Sequence, residues 1–409
     1  MDITITPGRL KGPVTPPPSK SQAHRLILAA ALAAGESLLS HVEMSQDIAA
    51  TLSCMEQLGA RWEALEGNRL RITGIGGAAS PLRQSDGLPH FDCGESGSTL
   101  RFLIPIALAV AGGGVFAGRG RLMERPQGPY FALFDQRGIL HEQKEGLLTL
   151  RGTLRPGDFS LPGDVSSQFV TGLLYALPFL EGDSRIRLTT PLESRGYVDM
   201  SLAVLRDRGV QIEETADGFA LPGGQACACG DAAVESDWSQ AGLYYAANGI
   251  GNRVEIRGMD RNSRQGDRIV HQWRELLDGP GEVELDVSGS PDLVPPLSVW
   301  AALRAGRTTR LVNASRLRIK ESDRLATVTQ ELRGLGADIT EGPDFLEIRG
   351  VETLYGGETD SHNDHRIAMM LAIAATRATG PVLLRGANSV RKSYPGFWED
   401  YRSLGGNAT

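Results

Sequence analysis

Apolar positions along the chain fall into two kinds of helix that alternate. The first kind opens on a small polar stretch and continues as a nearly unbroken run of Leu, Ala, Ile and Val. It occurs as SKSQAHRLILAAALA from Ser19, GESGSTLRFLIPIALAV from Gly94 and GDVSSQFVTGLLYALP from Gly163. It returns as ESDWSQAGLYYAANGI from Glu235, GSPDLVPPLSVWAAL from Gly289 and NDHRIAMMLAIAA from Asn363. A helix that is apolar nearly all round has no face for water, so all six are expected to be buried. Their openings are rich in Ser, Gly and Asp, which cap exposed backbone N–H groups.

The second kind is amphipathic, ends at a glycine and is followed by a strand. The glycines are Gly59, Gly138, Gly209, Gly279, Gly336 and Gly405. Each is expected in the left-handed conformation that closes a helix. A third echo is a strand ending in a turn, as in Leu70–Gly74, Leu148–Gly152, Phe219–Gly223 and Leu346–Gly350. Together these patterns predict six α/β units of roughly 70 residues, the signature of an internal repeat. Six units divide into three plus three, with the small-residue stretch 223–230 as the boundary.

Length agrees with more than one domain, since 409 residues exceed the usual size of one. Glycine is in excess, 50 residues of 409, but without the period of three that collagen requires. An apolar content of 41% with 22% charged residues describes a core-forming chain. The formal charge of −7 argues against broad nucleic-acid binding. Four cysteines, with one C-x-C at Cys227 and Cys229, make neither a disulfide framework nor a zinc site, and point to reduced thiols in the cytoplasm. The N-terminus lacks the basic and apolar regions of a signal peptide. The longest uncharged run, Phe102–Gly118, contains Pro105 and three successive glycines, so a buried helix and a turn fit it better than a membrane span.

Buried helices with Ser- and Gly-rich first turns are ready anion sites. Basic residues gather at or near many of these starts: Lys20 and Arg25, Arg101, and Arg366. Others precede the amphipathic helices: Arg125, Arg195, Lys320 with Arg324, and Lys392. If the units face one cleft, these charges converge, which suits a substrate carrying several negative charges. Ser166, Ser167 and Gln168 add neutral donors. Asp292, Glu321 and Asp364 are acids in the same zones. Asp364 reads as a structural counter-ion, whereas Asp292 and Glu321 are equally open to a structural role or to general acid/base work. The local motifs of nucleotide-driven, metal-hydrolytic and Ser-triad chemistry are missing.

From about Gly12 to Gly396 the chain resembles the 5-enolpyruvylshikimate-3-phosphate synthases (3-phosphoshikimate 1-carboxyvinyltransferases), a branch of the enolpyruvyl transferase family. The segments that carry the resemblance are PPSKSQAHR (17–25), GESGSTLR (94–101), ERPQGP (124–129) and GDVSSQF (163–169). They continue with PDLVPP (291–296), RIKESDRL (318–325), NDHRIAM (363–369) and KSYPGF (392–397). The resemblance implies an α/β fold of two similar domains, each of three βαβαββ units (an inside-out α/β barrel), with the active site in the interdomain cleft. It also implies an early crossing, with residues 1–17 joining 231–409 and 18–230 forming the other domain.

The implied reaction joins phosphoenolpyruvate to shikimate 3-phosphate in the shikimate pathway, in a commonly monomeric, cytoplasmic protein without metal or organic cofactor. The residues that match the family's shikimate 3-phosphate contacts are Lys20, Ser21, Arg25, Ser166, Ser167, Ser194, Tyr197, Asp292 and Lys320. Those matching its phosphoenolpyruvate contacts are Gly97, Arg125, Gln168, Arg324, Arg366 and Lys392, with Lys20 shared. Asp292 is implied as base for the 5-hydroxyl. Glu321 and Lys392 are implied in proton transfer at the methylene carbon, with Lys20 close to the reacting centre. At Gly97 a side chain would block backbone approach to the smaller substrate.

Three positions depart from the pattern, one of them Ser98, where many relatives carry Thr. Glu95 stands where many relatives carry Asn, which should weaken anion binding unless it pairs with a cation. Arg316 falls where some use an Asn to contact substrate, so that contact is not carried over. The nearest rival is the transferase that acts on UDP-N-acetylglucosamine, whose relatives typically show Lys-Asn in place of Lys20-Ser21 and a reactive Cys in the loop here spanning 112–125. This chain has no Cys there. A non-catalytic binding relative and an RNA-end-processing relative are further readings. Retention of Lys20, Asp292, Glu321 and Lys392 weighs against the first, and net acidity against the second.

Overall fold

The computed structural model describes residues 1–76 and 87–409. Its helices are α1 (Lys20–Leu32), α2 (Gln46–Gln57), α3 (Gly97–Val110), α4 (Gly128–Arg137), α5 (Ser167–Leu174) and α6 (Arg195–Asp207). They continue as α7 (Trp238–Gly249), α8 (Val270–Asp278), α9 (Val294–Ala302), α10 (Arg324–Gly334), α11 (His365–Ala375) and α12 (Phe397–Ser403). The odd-numbered helices are the six apolar ones of the sequence pattern. Every residue of α9 and α11 is buried, and all but one of α3. Each buried Leu, Ile or Met side chain contributes roughly 1.5–3 kcal/mol.

The chain separates into two compact units, Met1–Ser19 with Glu235–Thr409, and Lys20–Val234. The second division lies beyond the small-residue stretch where the sequence pattern puts it. The reason is the strand Ala232–Ala233, which runs parallel to Leu39–Ser40 and completes a sheet of the 20–234 unit. Each unit has its own apolar core. In the first unit α7, α9 and α11 pack on one another, while in the second α3 packs on α5, and α1 and α5 pack on α6.

Among the described residues three sheets belong to each unit, and five of the six share one plan. His90–Asp92 runs parallel to Gly113–Ala117 across the connecting α3; Leu147–Arg151 then pairs antiparallel, and Leu140–Lys144 pairs antiparallel on its far side. Sheets built on Gly157–Leu161, Val283–Asp286 and Gly357–Asp360 repeat it. The exception explains the early crossing of the chain. Lys11–Val14, the strand before α1, pairs in parallel with Arg253–Ile256 as a sheet of two in the first unit. Its place beside Glu36–Ser40 is the one that Ala232–Ala233 fills.

The expected glycine closures are present at Gly59, Gly138, Gly209, Gly336 and Gly405, all with positive φ. Gly279 is a correction: its backbone is extended, at φ −67° and ψ 164°. There the end of α8 is covered by side chains instead. Arg304 donates to Leu277 O at 2.8 Å, Gly279 O at 3.2 Å and Gly281 O at 2.9 Å, and Arg307 donates to Gly279 O at 2.8 Å. The backbone is extended because Pro280 follows: a residue before proline is pushed to extended angles, and proline has no N–H to bond back into the helix.

Of the three glycines at 112–114, only Gly112 makes a turn; Gly113 opens a strand where a Cβ would meet Leu150 O at 2.1 Å. Pro105 lies inside α3 and cannot donate to the carbonyl of Arg101 four residues earlier. The buried Tyr130 hydroxyl donates to that carbonyl instead, at 2.8 Å. All four cysteines are free thiols; along the C-x-C, Cys227 is buried and Cys229 exposed. Among the described residues, no helix is long and apolar enough to cross a membrane.

Candidate active site

Polar openings do cap the buried helices. Ser96 accepts from Thr99 N, Ser166 from Gln168 N, Asp237 from Gln240 N and Asp364 from Arg366 N. In α9 no side chain caps, and Pro295 and Pro296 in the first turn have no N–H to satisfy.

In the first unit these openings bring the acids and bases of three segments into one cluster. Arg324, 1% exposed at the start of α10, is its centre. It donates to Asp364 Oδ2 at 2.8 Å and Oδ1 at 3.2 Å, to Asp292 Oδ1 at 2.8 Å and to Glu321 Oε2 at 2.9 Å. Asp292, just before α9, also receives Arg366 NH2 on Oδ2 at 3.1 Å, and Lys320 Nζ stands 3.7 Å from Oδ1. Burial pushes the Asp292 carboxyl up, but Arg366, Lys320 and Arg324 outweigh it and hold the group well below the ordinary carboxylate range, with Glu321 opposing them. Burial likewise works against the charge of Arg324, and Asp364, Glu321 and Asp292 raise it despite that. Lys392, buried at the end of a short 3-10 helix, donates to the carbonyl of Asn363, next to Asp364. Arg316 donates to the carbonyl of Ser288.

The second unit holds three groups. Lys20 donates to Asp47 Oδ2 at 2.7 Å. Arg25, buried in α1, donates to Ser21 O at 2.6 Å, to Tyr197 O at 2.8 Å and to Ser201 Oγ at 2.8 Å. Burial pulls its pKa down to about 10, with Tyr175 and Tyr197 working the other way. Tyr197 N in turn donates to Ser194 O at 3.0 Å. Ser194, buried before α6, is left-handed at φ 52°. A non-glycine residue in that region costs of order 1–3 kcal/mol and persists only where its surroundings impose it.

The third group joins α3, α5 and the loop before α4. Arg101 lies 4.7 Å over the Phe169 ring and donates to Gln168 Oε1 and Pro126 O, both at 2.9 Å. With its oxygen so held, the Gln168 amide points its NH2 to Ser98 Oγ at 3.0 Å. Ser166 and Ser167 cap and open the helix that carries it. Arg125 is buried against Gly97, where a Cβ would stand 2.5 Å from its NH1. Any larger residue here would displace that guanidinium, a reason the sequence reading did not contain. Glu95 lies against Gly120, and its charge helps raise the pKa of Arg119, which Asp92 raises most.

Sequence reasoning missed Asp47, Ser98 and Ser201. Ser201 could have been found, since it lies one helical turn from Tyr197 on the same face. Asp47 and Ser98 carry no local signal that they meet Lys20 and Gln168.

A repeated α/β fold whose buried helices open onto clustered Arg, Lys and carboxylate groups defines a protein built to hold small molecules of high negative charge. The chain belongs to the EPSP synthase (3-phosphoshikimate 1-carboxyvinyltransferase) family, whose sequence profile matches residues 5–401. It is 43% identical to the 3-phosphoshikimate 1-carboxyvinyltransferase of Clostridium perfringens (strain 13 / Type A), over 99% of this chain and 98% of that protein. It is also 43% identical to that of Clostridioides difficile (strain 630), over 99% and 97%. The structure of EPSP synthase from Acinetobacter baumannii is similar throughout, with a TM-score of 0.79 and 25% identity over 100% of this chain and 99% of that one.

Proposed function

We propose that this protein transfers the enolpyruvyl group of phosphoenolpyruvate to the 5-hydroxyl of shikimate 3-phosphate, releasing phosphate. The observation that carries the reading is the cluster around Arg324, in which three carboxylates, Asp292, Glu321 and Asp364, share one buried guanidinium beside Lys320 and Arg366. Such a cluster suits addition and elimination, which need proton transfer and anion stabilisation.

In this reading Lys20, Ser21, Arg25, Ser166, Ser167, Ser194, Tyr197, Asp292 and Lys320 hold shikimate 3-phosphate. Lys20, Gly97, Arg125, Gln168, Arg324, Arg366 and Lys392 hold phosphoenolpyruvate. The 5-hydroxyl oxygen bonds to C2 as its proton passes to Asp292, and C3 gains a proton from the pair Glu321 and Lys392. Loss of a proton from C3 then expels phosphate and restores the double bond. In the free protein Asp292 is a weak base, because Arg324 and Arg366 hold both its oxygens. Incoming phosphate and carboxylate groups compete for those guanidinium donors, so binding of phosphoenolpyruvate raises the basicity of Asp292 where it is needed. The protein acts as a cytoplasmic monomer on this proposal.

Phosphate release measured with phosphoenolpyruvate and either shikimate 3-phosphate or UDP-N-acetylglucosamine tests the reading. Turnover with the first acceptor is expected; turnover with only the second would overturn it.

A further inference from the structure

Helix α10 grips the turn before α11 at two points. At its first residue, Arg324 donates to both oxygens of Asp364. Seven residues on, after two helical turns, Glu331 lies on the same face. Its Oε2 accepts from Asp360 N at 2.9 Å, and its Oε1 lies 2.7 Å from His362 Nε2. Gln330 Nε2 also reaches Oε1, at 3.1 Å. Between the two grips, His362 and Asn363 are both left-handed, at φ 50° and 54°. Two successive non-glycine residues in that region cost of order 1–3 kcal/mol each and need an external hold. The outcome of the turn is that Asn363 presents its carbonyl to Lys392 Nζ.

Glu331 is 5% exposed. Its contacts therefore differ from a surface ion pair, which contributes little. Nothing in the chemistry proposed above uses Glu331 or His362. We propose that these two are positioning residues for Lys392, acting through the carbonyl of Asn363. The inference rests on the reading that Lys392 serves proton transfer at the methylene carbon. If the grip at Glu331 and His362 loosens, the turn relaxes toward ordinary backbone angles, Asn363 O moves, and the ammonium of Lys392 loses its set direction. Asp364 stays held by Arg324, so substrate binding suffers less than proton transfer.

The test compares Glu331→Ala and His362→Asn with the parent protein. Asparagine tolerates the left-handed turn yet is too short to reach Glu331, so it isolates the contact. In both variants kcat is expected to fall about tenfold, a part of the roughly 10²–10⁴ that a positioned proton-transfer group supplies. The solvent deuterium isotope effect on kcat should rise, and KM for shikimate 3-phosphate should stay unchanged. Glu331→Gln keeps an acceptor for Asp360 N and should restore most of the rate. Folded variants with the parent's kcat and isotope effect would overturn the proposal. Should Glu331→Ala fail to fold, His362→Asn decides by the same readouts. Lys392→Ala separates the two levels: turnover retained there defeats the reading of Lys392 itself. Turnover lost there, with both positioning variants normal, defeats only the present inference.

Discussion

The guanidinium of Arg125 occupies the space beside Gly97, so close that a Cβ at that glycine would stand 2.5 Å from NH1 and 2.9 Å from Cζ. Gly97→Ala must therefore move the arginine. If Arg125 holds phosphoenolpyruvate, KM for that substrate should rise about tenfold, in keeping with the ~1–3 kcal/mol of an overpacked site. KM for shikimate 3-phosphate should change little. Steady-state kinetics with each substrate varied in turn would show it, and an unaltered phosphoenolpyruvate KM would refute the assignment of Arg125.

Arg324 and Asp364 are buried together, at 1% and 0% exposed side chain. Neutralising the acid leaves a buried cation short of its most deeply buried partner. Asp364→Asn should cost about 3–5 kcal/mol, as breaking a buried pair does. Urea denaturation at neutral pH measures it; a loss below about 1 kcal/mol, the worth of an exposed pair, would show that the remaining acids suffice.

Asp292→Asn removes the proposed base but keeps its shape. Shikimate 3-phosphate should still bind, by calorimetry, while kcat falls by roughly 10²–10⁴. Near-parental turnover would remove Asp292 from the chemistry. Because Arg366, Lys320 and Arg324 hold the free protein's Asp292 ionised well below the ordinary carboxylate range, kcat/KM should show no acid limb from this group near neutrality.

His24 is fully buried in α1. Its Nδ1 lies 2.7 Å from Thr51 Oγ1, and its Nε2 has no hydrogen-bond partner among the described residues. Burial first, then Lys20 and Arg25, lower its pKa well below 6.5. The unfolded chain therefore binds a proton that the folded one refuses. Stability is fully present above 6.5 and falls by about 1.4 kcal/mol per pH unit below it, until the folded pKa is reached. His24→Asn, which retains a partner for Thr51 and cannot titrate, should flatten the stability profile between pH 6.5 and 5. A variant with the parent's slope would place the acid sensitivity elsewhere.

Much of the architecture was legible from one dimension. Apolar runs of helical length gave the six buried helices, because a helix without a polar side has only the interior to go to. Glycines at amphipathic helix ends were read correctly at five of six places. The sixth, Gly279, is extended because Pro280 follows it, and the residue before a proline is pushed out of the helical region. The strand pairing of Lys11–Val14 with Arg253–Ile256 was beyond pattern reading, since hydrophobic period says that a strand exists and not which neighbour it takes.

The candidate site divides the same way. The sequence by itself determined which residue types stand at the helix starts, and so the affinity for anions, since capping groups and cations act through the first turn of their own helix. Only the tertiary structure decided that Asp292, Glu321 and Asp364 converge on the one guanidinium of Arg324, and that Glu331 holds the turn beneath Lys392. Charge sharing depends on distances of about 3 Å between segments far apart in the chain. Those distances are set by the packing of whole helices, and no local pattern records them.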